Sequence, residues 1–290
     1  SNPSDRSNSV NVFNSLSLST YNGLATPKAI GYRNFCWTAP SRDGSTNLTG
    51  LYMYDASCAV SISSGGCSPD DEAISISKVM KVDQKKIRLA KDLPISLKSI
   101  PKINFPKSSK KLKVLFFSRF TREKNLEGAI NIIKLVPVPI QFDIVGFKED
   151  MAYWKSCMDI AKNFQSNINF NIIEGIVDDY EKFKLLSSYD LFLFPSHGEN
   201  YGHVVAESIC VGTKVLLSNN LPAWENLEKD GIGWNFDNRD VQSFVNVIIN
   251  YSKLSPRERD SLRNKVKIAS KYRLFDNKNI KQNIDLYNLN

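Results

Sequence analysis

Two glutamates, Glu199 and Glu207, stand eight residues apart in the segment PSHGENYGHVVAE. Gly202 lies between them, and a glycine lets the backbone approach a ligand closely. The helical pattern that begins near residue 203 would aim free amide groups at the space in front of it, which attracts anions. Glu199 can then accept hydrogen bonds from sugar hydroxyls, and Glu207 from a vicinal diol such as a ribose. The alternative is a loop charge and a solvent-facing helix residue.

A second segment, SRFTREKN, begins at Ser118 and carries cations at Arg119, Arg122 and Lys124. A dinucleotide-binding dehydrogenase would show GxGxxG at this position, but the segment contains no glycine, so its backbone cannot wrap a pyrophosphate closely. An arginine fork and a lysine point charge can instead bind a diphosphate and stabilise it as a leaving group. The alternative is ordinary solvated charge in a loop.

Both segments follow predicted strands in a region where short apolar runs alternate with helical patterns. The predicted strands span residues 112–118, 140–145, 168–176, 190–194, 214–218 and 232–236, and the predicted helices 126–135, 150–164, 180–188, 203–211, 222–229, 241–254 and 257–272. Near-continuous apolar strands separated by helices indicate an α/β fold with a Rossmann-like, doubly wound parallel sheet. Ligands of such sheets bind outside the carboxyl ends of the strands, where both charged segments would lie.

The chain before residue 111 has a different character. Residues 1–67 are rich in Ser, Thr, Asn and Gly and contain no Glu, which favours disorder or a partial domain. An amphipathic helix is predicted over 71–82. The Lys-, Pro- and Ser-rich residues 86–110 read as a linker between domains, because their prolines discourage regular structure. A tail helix is predicted over 275–290.

Composition limits the classes of function. The 290 residues carry a formal charge of +8, which favours anionic partners, but no Lys/Arg-rich block with interleaved aromatics supports nucleic acid as one. The five cysteines are widely spaced without a CxxC, which is typical of reduced thiols in a cytoplasmic protein. With two histidines, a histidine-based metal centre is not expected.

Taken together, the segments resemble the retaining family 4 glycosyltransferases, which have the two-domain GT-B fold. The Glu-x7-Glu motif of that family is matched by Glu199 through Glu207, and the Arg and downstream Lys of its first-strand loop by Arg119 and Lys124. The stretch GENYGHVVAE is similar to the subgroup pattern ENFGHV-x-x-E. The resemblance covers about residues 68–245 and identifies residues 111–274 as the C-terminal half of a GT-B fold.

The resemblance implies that residues 111–274 bind a nucleotide-diphosphate sugar. Arg119 and Lys124 would contact the diphosphate, Glu199 the donor sugar and Glu207 the ribose. The remaining donor-binding residues would be Asn200, Tyr201, Gly202 and His203 around the phosphate or sugar, with Gly146, Ile176 and Val177 near the base. Transfer would retain the anomeric configuration, with the leaving phosphate as the base. The sequence has no Asp-x-Asp motif, so neither a metal nor another cofactor is expected.

A GT-B enzyme also needs an N-terminal domain that binds the acceptor. Residues 68–110 resemble the remnant of such a domain followed by a linker, whereas residues 1–67 match no known pattern. A fragment, a truncated gene or a shifted reading frame would explain this mismatch. The expected acceptor is a saccharide or a lipid-linked sugar, with a peripheral contact at the inner membrane face. Three alternatives stay open: a nucleotide-sugar-binding module without turnover, a sugar-nucleotide epimerase, and a phosphorylase, for which no phosphate site can be assigned.

Overall fold

The computed structural model describes residues 10–13, 33–40, 47–54, 87–89, 100–101, 106–174, 178–199, 201–274 and 281. The chain divides into two compact units, of which one is Pro94–Leu274 and the other combines Ser1–Leu93 with Phe275–Asn290. The predicted helix over 71–82 lies outside the described residues, and so does the predicted tail helix apart from residue 281.

The smaller unit contains a four-stranded sheet. Its strands are β1 (Val10–Phe13), β2 (Arg33–Pro40), β3 (Asn47–Tyr54) and β4 (Ile87–Leu89), in the order β3-β2-β1-β4. The pairs β1–β2 and β2–β3 are antiparallel, while β1 and β4 are parallel. Strands β1 to β3 lie within residues 1–67, where disorder or a partial domain is predicted, and β4 lies within residues 68–110, predicted as a domain remnant followed by a linker. Aromatic and branched residues inside these segments favour strands, a preference hidden by the polar residues between them.

The larger unit is built on six parallel strands. They are β5 (Leu112–Phe117), β6 (Ile140–Val145), β7 (Ile168–Ile173), β8 (Leu191–Phe194), β9 (Lys214–Ser218) and β10 (Gly233–Phe236). The flanking helices are α1 (Leu126–Lys134), α2 (Met151–Ala161), α3 (Asp179–Ser187), α4 (His203–Cys210), α5 (Val241–Ser252) and α6 (Pro256–Leu274). The strand order β10-β9-β8-β5-β6-β7 confirms the predicted α/β, Rossmann-like doubly wound sheet.

The sheet has one topological switch point, between β5 and β8. From β5 the chain moves outward to β7, and it then returns to place β8 against the other side of β5, with Val114 opposite Leu191. At such a point the two following connections run to opposite sides of the sheet and leave a crevice at the carboxyl ends of the strands. The loops after β5 and β8 hold the two charged segments of the sequence.

The core explains why the central strands read as continuous apolar runs. Leu115 and Phe116 in β5 and Phe192 in β8 are completely buried, because helices cover both faces of the sheet. At the edge of the sheet β7 is only partly covered, and Asn169, Asn171 and Ile172 are exposed. This edge strand ends at Ile173 rather than at the predicted residue 176.

The structure also corrects one predicted helix. Residues 222–229 were expected to be helical, but they form only a single 3-10 turn, Pro222–Trp224. Glu225 is extended, and Asn226 adopts a left-handed conformation with φ 59°, so the helix cannot continue.

A buried carboxylate joins α6 to the amino end of β8. Asp190 accepts hydrogen bonds from Ser108 Oγ at 3.0 Å and from the Lys113 amide at 2.9 Å. Its Oδ1 also lies 3.7 Å from Arg259 Nε and 3.7 Å from Arg263 Nη2, and all three charged side chains are buried. This cluster fixes the segment that leads into β5 against the last helix of the unit.

We expect Asp190→Asn to destabilise the larger unit by about 3–5 kcal/mol, because it leaves two buried guanidinium groups without a counter-charge. Urea denaturation of the variant and the parent chain measures the difference. Asp159→Asn is the matched control: its partner Lys162 lies at the surface, and the expected cost is below about 0.5 kcal/mol. Equal losses for the two variants would contradict a structural role for the buried cluster.

Candidate functional site

Hydrogen bonds to backbone carbonyl groups hold the loops after β5 and β8 together. The Glu123 carbonyl accepts from the His197 amide at 2.8 Å and from Ser196 Oγ at 3.0 Å. Asn125 Nδ2 donates to the Pro195 carbonyl at 2.7 Å. Segments 70 or more residues apart in sequence are thereby held in one fixed arrangement at the switch point.

Asn125 is also the N-cap of α1. Its backbone is left-handed, with φ 55° and ψ 48°, and its Oδ1 accepts from the Gly128 amide at 3.0 Å. Asparagine suits both demands, since it caps helices well and tolerates the left-handed region. The residue that ends the cationic segment thus couples α1 to the loop after β8.

A buried ion pair lies where the two loops meet. Lys124 Nζ is 2.8 Å from Glu199 Oε2, and the two side chains are 5% and 14% exposed. A carboxylate and an ammonium at this depth stabilise each other, since either one alone would carry a large desolvation cost. The structure therefore brings together the lysine of the first charged segment and the first glutamate of the second.

The start of α4 follows directly on the loop that carries Glu199. Gly202 is the N-cap in a left-handed conformation, with φ 72° and ψ 66°, a conformation that favours glycine. A Cβ added at Gly202 would also lie 3.1 Å from Glu199 Cγ. Trp224 Nε1 donates to the Tyr201 carbonyl and holds the turn in place. The amino end of a helix carries partial positive charge, which makes this position suitable for an anion.

Glu207 lies within α4, and its carboxylate contacts Lys182, which the sequence analysis did not identify as a site residue. Lys182 Nζ in α3 is 2.7 Å from Glu207 Oε1 and 2.9 Å from Asp179 Oδ1. Burial raises the pKa of Glu207, and Lys182 partly opposes this effect. Burial alone would lower the pKa of Lys182, but the hydrogen bonds and charges of Glu207 and Asp179 together outweigh it and leave that pKa raised. The spacing Asp179–Lys182, one helical turn, was the available signal in the sequence.

Arg119 turns toward the loop that follows β6. Its Nη1 lies 2.8 Å from Glu149 Oε2, and both side chains are partly exposed. Next to this pair a Cβ at Gly146 would come within 1.7 Å of the Ser118 carbonyl oxygen, so the loops after β5 and β6 touch through their backbones. Arg122 is mostly exposed, and its Nε lies 3.9 Å from Asp150 Oδ2.

The predicted site residues thus fall into three places. Lys124, Glu199 and Gly202, with Tyr201 and His203, lie around the ion pair and the start of α4; Glu207 lies within α4; Arg119 and Gly146 lie by the loop after β6. Asn200, Ile176 and Val177 are outside the described residues.

His203 is the histidine nearest to the acidic pair. Desolvation of the ring lowers the pKa of His203, and the charge of Lys182 lowers this pKa further. The charge of Glu199 raises it but does not restore the usual value. The residue as a whole is nevertheless exposed. Its ring centroid lies 5.2 Å from that of Tyr201. The contact with Tyr201 supports a packing role for His203 at the helix start.

Neither a metal-binding cluster nor a membrane-spanning helix occurs among the residues that the structure describes. No group of three or more His, Cys, Asp or Glu side chains in this part of the chain could hold a metal ion. Within the same residues, no helix is long and apolar enough to cross a membrane. The expectation that no metal or other cofactor takes part stays a prediction.

The doubly wound parallel sheet brings Lys124, Glu199 and the start of α4 to its switch point, the place where ligands of such sheets bind. Residues 100–270 match the family described as "Glycosyl transferases group 1". The chain therefore belongs to that family of transferases, and its fold is that of the GT-B enzymes.

A protein of Klebsiella pneumoniae described as "Uncharacterized 41.2 kDa protein in cps region" is 28% identical over 182 residues, which are 62% of this chain and 44% of the relative. Sucrose-phosphate synthase from Thermosynechococcus elongatus has a TM-score of 0.59 at 19% identity, over 77% of this chain and 56% of that one.

WaaG, a glycosyltransferase involved in lipopolysaccharide biosynthesis, has a TM-score of 0.57 at 15% identity, over 75% of this chain and 60% of that one. TarM from S. aureus, solved with UDP, has a TM-score of 0.55 at 14% identity, over 75% of this chain and 42% of that one. The chain thus spans about half the length of the proteins it matches.

We expect Asn125→Ala to lower the free energy of unfolding by about 3 kcal/mol, roughly 1 kcal/mol each from the lost cap, the lost hydrogen bond to Pro195 and a left-handed alanine. Asn125→Gly should cost about 1 kcal/mol less, since glycine accepts this backbone conformation. Asn125→Asp keeps the cap but replaces the donor to Pro195 with a carboxylate oxygen, so its cost combines the lost bond with the repulsion between the two oxygens. Urea denaturation of the three variants measures these effects; equal losses for Ala and Gly would contradict the assigned conformation.

Proposed function

We propose that this chain carries the donor site of a retaining, hexosyltransferase-type glycosyltransferase of family 4. The observation that carries the proposal is the Lys124–Glu199 pair, which lies beside the start of α4 at the switch point. A nucleotide-diphosphate sugar has an anionic centre with hydroxyl groups on both sides. The pair supplies a cation for the diphosphate and a carboxylate for the hydroxyls of the sugar.

The diphosphate would lie between the cationic loop and α4. Lys124 and Arg119 would approach its oxygens, with the amides near Tyr201, Gly202 and His203 completing the cradle. These groups would stabilise the negative charge that develops on the departing diphosphate, which is the main contribution to catalysis in this proposal. The leaving phosphate would take the acceptor proton, and attack on the same face would retain the anomeric configuration.

Binding would also change the role of Glu199. In the structure its carboxylate neutralises Lys124. A diphosphate brings further negative charge to the same lysine and would therefore weaken the hold of Lys124 on Glu199. The carboxylate would then be available to the hydroxyls of the donor sugar. Glu207 would accept from the ribose, and the base would lie near Gly146, Ile176 and Val177, as the resemblance implies.

Relatives support the classes of partner. TarM was solved with UDP and with saccharides, and WaaG takes part in lipopolysaccharide biosynthesis. The Klebsiella relative is described by its place in a cps region. We propose a saccharide or lipid-linked acceptor in polysaccharide biosynthesis, in the cytoplasm, with a peripheral contact between the basic protein and the inner membrane face.

The second candidate is a nucleotide-sugar-binding module without turnover. The chain spans only 42% to 60% of the solved relatives that share its fold. In the GT-B arrangement the donor and the acceptor lie on different domains, so binding of the donor does not by itself require transfer. A sugar-nucleotide epimerase of the same fold would instead release the altered sugar nucleotide.

We expect the chain to bind one of UDP, GDP or ADP in calorimetry, and to hydrolyse the matching sugar nucleotide slowly. Glu199→Gln should lower hydrolysis about 100-fold, since it removes a charged contact with the reacting sugar, while nucleotide affinity changes less than about threefold. Glu181→Gln, in an exposed pair with Lys184, is the matched control and should change neither.

Three outcomes separate the candidates. Binding with no hydrolysis by the parent chain would favour the module, and an altered sugar nucleotide as product would favour the epimerase. Absence of binding for all three nucleotides would contradict the proposed donor site itself.

A further inference from the structure

Lys182 occupies a position between α3 and α4 that the assigned donor contacts do not explain. Its side chain is 21% exposed, while that of Glu207, which it touches, is 8% exposed. Lysine side chains usually keep the ammonium group in water. Here the ammonium group instead contacts the carboxylate of Glu207, whose side chain is more buried than that of Lys182.

The location of Glu207 creates a chemical problem for a ribose contact. Burial favours the neutral acid, which carries a proton on one oxygen, whereas a ribose diol offers hydroxyl donors and requires an acceptor. An ionised carboxylate accepts on both oxygens, and it forms stronger hydrogen bonds with hydroxyls. A cation in contact with Oε1 favours the ionised form and leaves Oε2 to the diol.

We infer that Lys182 is a positioning residue of the donor site: it holds Glu207 ionised and oriented, so that Glu207 accepts hydrogen bonds from the ribose of a nucleoside diphosphate. This inference rests on the proposed function of the site. Lys182 acts through Glu207 and need not touch the nucleotide.

The neighbouring charges are consistent with this role. Among the described residues around Glu207, α3 contributes Lys182 and Asp179, and Asp179 acts on Glu207 in the opposite direction to Lys182. On α4 itself lie His203 and Cys210; burial, followed by the charge of Glu207, raises the pKa of Cys210 to about 12, so the thiol stays neutral. From α6, the side chains of Arg263 and Lys267 reach Gly212, beyond the other end of α4.

The sign of the pH effect follows from these contacts. Nucleotide affinity should be complete above the pKa of Glu207 and should fall as the pH drops through it. Because Lys182 opposes the upward shift that burial causes, removing Lys182 should raise the pKa of Glu207 further. The loss of affinity on acidification should then begin at a higher pH.

Calorimetric titration with UDP between pH 5 and 8, or with GDP or ADP if the chain prefers them, tests the inference. In Lys182→Met the midpoint of the acidic decline should rise by about one pH unit or more, the usual effect of an opposite charge in contact. Lys182→Arg should restore the parent midpoint. Lys184→Met, on the exposed side of the same helix, should leave it unchanged. The titration of the nucleotide phosphate is common to all variants.

A merely structural role would lower affinity equally at every pH, and that result would overturn the inference. In a Glu207→Gln background, Lys182→Met should leave the midpoint where it is; a shift there would show that Lys182 acts through another group. If Lys182→Met does not fold, Asp179→Asn replaces it, because Asp179 is 71% exposed. Loss of this carboxylate should move the midpoint to lower pH, and an unchanged or higher midpoint would overturn the inference. Absence of nucleotide binding by the parent chain would contradict the donor site rather than Lys182.

Discussion

The desolvated contact between Lys124 and Glu199 is the interaction on which the site depends. Two opposite charges remain at such depth only when the surrounding backbone fixes them at a short distance. That backbone is the pair of loops after β5 and β8, which the Glu123 carbonyl and the Asn125 side chain hold together. The doubly wound order of the strands places these loops side by side, so sheet topology and site electrostatics have a common origin.

The site combines two arrangements of the same kind. Each is a glutamate in or beside α4 that meets a lysine from another element: Lys124 before α1, and Lys182 within α3. Both glutamates thus have a cationic partner that does not depend on a bound ligand. A pre-formed site of this kind orders few side chains on binding, which leaves more of the contact energy for affinity.

The sequence predicted the sheet of the larger unit well, because buried parallel strands such as LKVLFF and DLFLF read as continuous apolar runs. It also predicted that Lys124 and Glu199 lie at the same edge. It did not predict the end of the helix at Trp224, which depends on a left-handed Asn226, or strands β1 and β2. Lys182 was missed because its partner is 25 residues away and only the packing of α3 on α4 joins them.

A crystal structure of the chain with a bound nucleoside diphosphate would test directly whether the diphosphate binds at the switch point. We expect phosphate oxygens within hydrogen-bond distance of Lys124 Nζ and of the first amides of α4, with the ribose against Glu207. A nucleotide bound away from the switch point, with the contact between Lys124 and Glu199 unchanged, would contradict this expectation.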